Sequence, residues 1–287
     1  MLAGCATQPA PAEREPASKP ATTDAWYDGS GIYAVDSREK LTRTELFDRL
    51  QTATFVVVGE SHGVEWNHRI QSEVYRGLLK RHAGSVALGM EMFQRPYQPA
   101  LDAYVRGDID EEAMLQRTEY DDRWGVAPRY YRPLWELAKS KKAPIVALNA
   151  RAELTHAVAR MPLEELPDEL REDLPEDMSD YGKQRAFLKD VFGAHHPSTD
   201  GHSGTSPSDE NAAFEQFARA QIVWDATMAQ TARSFMRTHD SLEAMMLVCG
   251  RAHAHRGFGI PPRIEASLDS QSDGDDEVVT LLPASVE

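Results

Sequence analysis

Cysteine is nearly absent from this chain of 287 residues: only Cys5 and Cys249 occur. One pair cannot form the disulfide framework that holds core-poor domains together, so the fold has to rest on buried apolar surface. A Cys5–Cys249 bridge stays open, although Cys249 stands in the apolar run "AMMLVCG" and reads as a small buried hydrophobe. Basic residues are also scarce, with 31 Lys and Arg against 46 Asp and Glu and a formal charge of −15. A field of that sign excludes a nucleic-acid surface and disfavours adhesion to anionic lipid. No run is apolar over the length needed to cross a bilayer. What remains, 41% hydrophobic and 27% charged, is the composition of a globular protein with ample material for a core.

Five short apolar runs recur: "TFVVVGE" (54–60), "SVALGMEMF" (85–93), "APIVALN" (143–149), "AMMLVCG" (244–250) and "EVVTLLPA" (277–284). The first four are continuous rather than alternating, the pattern of strands covered on both faces. Helical periodicity separates them, over 64–82, over "RPLWELAKS" (132–140) with its early proline, and over 211–240. The expected fold is therefore α/β, a mainly parallel central sheet flanked by helices. Residues 161–210 break the rhythm with Pro162, Pro167, Pro175, Pro197 and Pro207, and read as a helical and loop insertion. The core would then comprise 26–160 and 211–287. Residues 1–25 have no periodicity. "LAGC" resembles the lipobox of bacterial lipoproteins, with Cys5 as the lipidated residue, and the Pro- and Ala-rich stretch after it reads as a flexible tether. Only Met1 precedes Leu2, so the expectation is that the natural signal begins further upstream.

Ligands of parallel sheets bind beyond the carboxyl ends of the strands. The first run ends in Glu60 and His62, the second contains Glu91, the third ends in Asn149, and the fourth leads to Arg251 and His253. "GESH" (59–62) and "GRAH" (250–253) share the pattern Gly-x-x-His, in which the glycine would permit a tight exit from the strand. Each residue alone has a plainer reading as a cap, a surface charge or a hydrogen-bonded histidine. Together, Glu60, His62, Glu91 and His253 are candidates for a pocket that either holds a first-row divalent metal or performs acid/base chemistry without one. His68 and Gln71 on the following helix, and Gln221 and Asp225 on the long helix, are expected to line it. In the insertion, Tyr181, His195, His196 and His202 could hold haem iron or a metal.

"VVVGESHGVEWNHRIQ", "LGMEMFQRPYQPALDAYVRGDID", "AQIVWDATMAQ" and "GRAHAHRGFGIPPRI" resemble the ChaN-type haem-binding lipoproteins, in order, over most of 54–264. That family is similar, more distantly, to erythromycin-esterase-type enzymes and Tiki metalloproteases. The resemblance implies a shared pocket at Glu60, His62, Glu91 and His253, an outer-membrane lipid anchor, a role in haem-iron acquisition with an outer-membrane haem receptor as partner, and haem bound by a tyrosine at a homodimer interface. The chain departs from the pattern at "GRAH", where Asn-Gly is expected between Gly and His. Arg251 there could pair with a haem propionate. Three readings follow: a lipid-anchored haem carrier using Tyr181, His195, His196 and Arg251, a metal-dependent hydrolase using the Glu/His pocket, and an adaptor without a ligand.

Overall fold

The computed structural model describes residues 31–179, 182–195, 207–268 and 277–283, without the side chains of 182, 194–195, 207–209, 267–268 and 277. A short antiparallel hairpin of β1 (Ile32–Ala34) and β2 (Glu39–Leu41) opens the described chain. It leads into α1 (Arg43–Leu50), β3 (Ala53–Glu60), α2 (Glu65–Arg81) and β4 (Val86–Gln94). Four helices follow, α3 (Gln98–Arg106), α4 (Glu111–Arg117), α5 (Tyr120–Arg123) and α6 (Arg132–Lys141), before β5 (Ile145–Asn149). Next come α7 (Ala152–Val158), α8 (Asp168–Arg171), α9 (Gly182–His195) and α10 (Pro207–Arg237). The chain closes with β6 (Ala244–Gly250), α11 (Ile260–Leu268) and β7 (Glu277–Leu281).

All five apolar runs are strands of one parallel sheet in the order β5-β4-β6-β3-β7. Their lack of alternation has a direct cause. Val56 and Val58 of β3, Leu88 and Met90 of β4, and Met246 and Val248 of β6 pack on one face against α1, α2 and α6. Phe55, Val57, Ala87, Met245, Leu247 and Cys249 take the other face, against α10 and α11. Both faces are dry, so both parities are apolar. Cys249 is a fully buried free thiol, and burial pushes its pKa up; Cys5 lies outside the described residues.

The β1–β2 hairpin has no counterpart among the sequence expectations, because three-residue strands are too short to show a period. The stretch read as an insertion contributes α8 and α9, and α10 starts inside it at Pro207, four residues before the expected 211. Leu188 and Phe192 of α9 bury against Phe214 and Ala218 of α10. For the site, strand order matters most. Because β6 enters between β4 and β3, the carboxyl ends that carry Glu91, Gly250 and Glu60 lie side by side.

Candidate functional site at the strand ends

Glu60 continues the face of Val56 and Val58 and therefore points toward α2 and α6. It is 1% exposed and fully engaged. Oε1 accepts from Tyr131 Oη at 2.5 Å and from His62 Nδ1 at 2.7 Å, while Oε2 accepts from Gln71 Nε2 at 2.7 Å. His68 Nδ1 lies 3.1 Å from Gln71 Oε1 and 3.3 Å from Glu60 Oε2. Burial alone would raise the Glu60 pKa; the hydrogen bonds from His62 and Tyr131 and the charge of nearby imidazoles reverse that and hold it below the usual carboxylate range. Burial works against a charged His62 too, yet the bond to Glu60 and the field of Glu91 raise its pKa. Burial dominates at His68 and lowers its pKa.

Glu91 falls on the other parity of β4 and turns toward α10. Its Oε2 accepts the Gly250 N–H at 2.6 Å, and its Oε1 lies 3.4 Å from His253 Nε2, just beyond the neighbouring strand end. His253 Nδ1 donates to Asp225 Oδ1 at 2.6 Å. Burial disfavours the imidazolium, but the two carboxylates outweigh it and His253 is pushed up to about 9. Two half-networks thus stand on opposite faces of the sheet and meet over Gly250.

The glycines of the two Gly-x-x-His motifs have a different reason from the one expected. Neither has a positive φ; Gly63, at φ 73°, makes the turn instead. Each glycine leaves room for the other motif. A Cβ on Gly250 would lie 3.2 Å from His62 Nε2, and one on Gly59 would lie 2.7 Å from Leu282 Cδ2, 3.0 Å from Ala254 Cβ and 3.1 Å from Arg251 Cα.

Of the expected lining residues, His68, Gln71 and Asp225 are buried in the networks, and Asn149 Nδ2 donates to the Glu91 carbonyl at 3.0 Å. Gln221 is half-buried on α10, and no hydrogen bond between described residues ties it to them. The Arg251 guanidinium donates to the Pro283 carbonyl, while its backbone N–H donates to the Glu60 carbonyl at 2.8 Å. Tyr181, His196 and His202, and the side chain of His195, lie outside the described residues. Tyr131, Gln184 and Arg263 were not anticipated. Tyr131 had one sequence signal, the aromatic pair "YY" directly before the proline-led helix, but nothing in it names Glu60 as partner.

The geometry does not support the expected metal centre at Glu60, His62, Glu91 and His253. Among the described residues no group of three or more His, Cys, Asp or Glu side chains is arranged to hold a metal ion. The lone pairs a metal would need are spent on Tyr131, Gln71, His62 and the Gly250 N–H, and the carboxylates sit on opposite faces. Of Glu60, His62, Glu91 and His253, only His62 reaches well into solvent, its side chain 42% exposed. The arrangement suits acid/base chemistry at His62, oriented from behind by a buried carboxylate.

A family model described as haem-binding uptake, Tiki superfamily, ChaN matches residues 46–264. Among solved structures, a ChaN of Campylobacter jejuni with cofacially bound haem is similar, with a TM-score of 0.67 at 17% identity, covering 88% of this chain and 89% of that one. An erythromycin esterase in its open conformation gives a TM-score of 0.47 at 12% identity, covering 83% of this chain and 72% of that one, too distant to carry an argument. No curated protein matches the chain.

Proposed function

Because this chain belongs to the ChaN family of haem-binding uptake proteins, within the Tiki superfamily, we propose that it binds haem in haem and iron acquisition at the bacterial cell envelope. The match over residues 46–264 is the observation that carries this reading. The fold it shares with the Campylobacter jejuni protein supports it. Haem would be held by Tyr181, His195 or His196 of the insertion, with Arg251 as a propionate partner. Titration with ferric haem, followed by its absorption band, is expected to saturate. Joint replacement of Tyr181, His195 and His196 abolishes the spectral change. A titration without saturation, or one unaltered in that variant, overturns the assignment.

The envelope location rests on "LAGC" and the tether that follows it. Lipidation of Cys5 would place the protein on the outer membrane, near a haem receptor and free to form the homodimer. In the native host, Cys5→Ala should move the protein from the membrane to the soluble fraction. Recovery in the membrane fraction despite that change would remove the anchor from the proposal.

One observation favours a second reading, hydrolysis without a metal. His62 is hydrogen-bonded to a fully buried carboxylate and keeps an accessible ring face beside Trp124, centroid to centroid 5.0 Å. A panel of ester, amide and peptide substrates tests it. Turnover lost in Glu60→Gln and His62→Ala supports this reading, and turnover indifferent to both removes it.

A further inference from the structure

Asp225, 3% exposed in α10, uses both oxygens. Oδ1 holds His253, and Oδ2 accepts from Gln184 Nε2 at 2.6 Å. Gln184 belongs to the first turn of α9 and is 1% exposed, an unusual depth for an amide on a peripheral helix. Its Oε1 accepts from Arg263 of α11 at 3.0 Å, and the same guanidinium nitrogen donates to the Ser179 carbonyl at 2.9 Å. A continuous chain therefore runs from Glu91 through His253, Asp225, Gln184 and Arg263 to Ser179, just ahead of α9. The apolar seat of α9, Leu188 and Phe192 on Phe214 and Ala218, lies further along the helix. Its first turn is held by polar contacts, and a buried amide is tolerated only when bonded. One end of the chain is charge-assisted at Asp225 and the other at Arg263.

We propose that this chain couples the strand-end site to the insertion: the state of His253 sets how firmly the first turn of α9 is held, and Gln184 is the positioning residue that carries the coupling. The inference goes beyond haem binding and does not depend on it, since α9 can be followed in haem-free protein. Coupling of this kind is reciprocal. A change at Gln184 must be felt at His253, and a change at His253 must be felt in α9. A merely local packing role would give only the first half of each pair.

Hydrogen exchange of the haem-free full chain, with NMR of the His253 imidazole, tests both directions. In Gln184→Leu, amides of α9 should exchange roughly tenfold faster or more, with β3, β4 and β6 at wild-type rates, and the His253 resonances should move. In His253→Gln, α9 should be accelerated in the same way. Where His253→Gln fails to fold, Glu91→Gln, which removes the charge facing His253 Nε2 and leaves Gln184 untouched, replaces it with the same expected result. Wild-type exchange of α9 in the His253 or Glu91 variant overturns the proposal. So does acceleration in Gln184→Leu with unmoved His253 resonances.

Discussion

A methyl group at Gly59 would meet the backbone of Arg251 and the Ala254 methyl, neither able to swing away, whereas one at Gly250 would meet only the His62 ring at comparably close range. Gly59→Ala should therefore cost about 1–3 kcal/mol in urea unfolding. Gly250→Ala should cost less and instead displace His62 from Glu60, seen as a fall in the His62 pKa by NMR titration. The histidines also set a pH dependence. The folded pKa of His253, about 9, lies above its ordinary 6.5. Its contribution to stability is complete below pH 6.5 and is lost as pH rises through about 9, on the order of 3 kcal/mol. Its folded pKa being raised as well, His62 acts in the same direction. Urea midpoints measured across that window should fall with pH in the wild type and flatten in His253→Gln. An equal slope in both proteins would place the titration elsewhere.

At the scale of elements, the free edge of β5 is closed by a side chain. Gln98, at the start of α3, donates to the Ile145 carbonyl at 2.8 Å and accepts the Ala147 N–H at 2.7 Å, standing in for a missing strand. Gln98→Leu should cost about 1–3 kcal/mol and speed exchange of the Ala147 amide before that of β3 or β6. Strand β4 has its own device. Its pairing with β5 shifts register between Met90 and Gln94, and Met92 and Phe93 both join the α2 and α6 side of the core. Alternation still places Glu91 opposite Met90 and Met92; the side chain that the irregularity re-aims is Phe93. Helix α10 packs on the sheet through Met228, Ala229 and Ala232, which brings Asp225, one turn earlier on that helix, over the end of β6.

For the molecule as a whole, the surface and the interior follow different electrostatic rules. The net charge of −15 is a surface property that salt screens, whereas the histidine–carboxylate networks are buried and screened little. Ligand binding should register globally. Haem at a hundredfold excess over its dissociation constant stabilises the protein that binds it by about 2.7 kcal/mol. Thermal unfolding should therefore shift upward with ferric haem in the wild type and stay fixed in the joint Tyr181, His195 and His196 variant.

The sheet was legible in the sequence because burial on both faces leaves a run such as "FVVV" no polar position, and the point where polarity returns marks the strand end. Glu60, His62, Glu91 and His253 could be picked out for the same reason: each interrupts, ends or closely follows an apolar run. Nothing local revealed Tyr131 or Gln184 as partners. Tyr131 lies 71 residues from Glu60, and Gln184 lies 41 from Asp225. Nor could residue type say that Glu60 and Glu91 face opposite sides of the sheet, since that depends on which parity of each strand meets which layer of helices. A carboxylate and an imidazole make a metal centre, an acid/base pair or a structural ion pair according to tenths of an ångström and to who else fills their lone pairs. Composition and periodicity determined that a polar site sits at the ends of a parallel sheet. Only the tertiary structure decided that its charges are spent on each other, because hydrogen-bond partners are chosen by distance in space and not by distance along the chain.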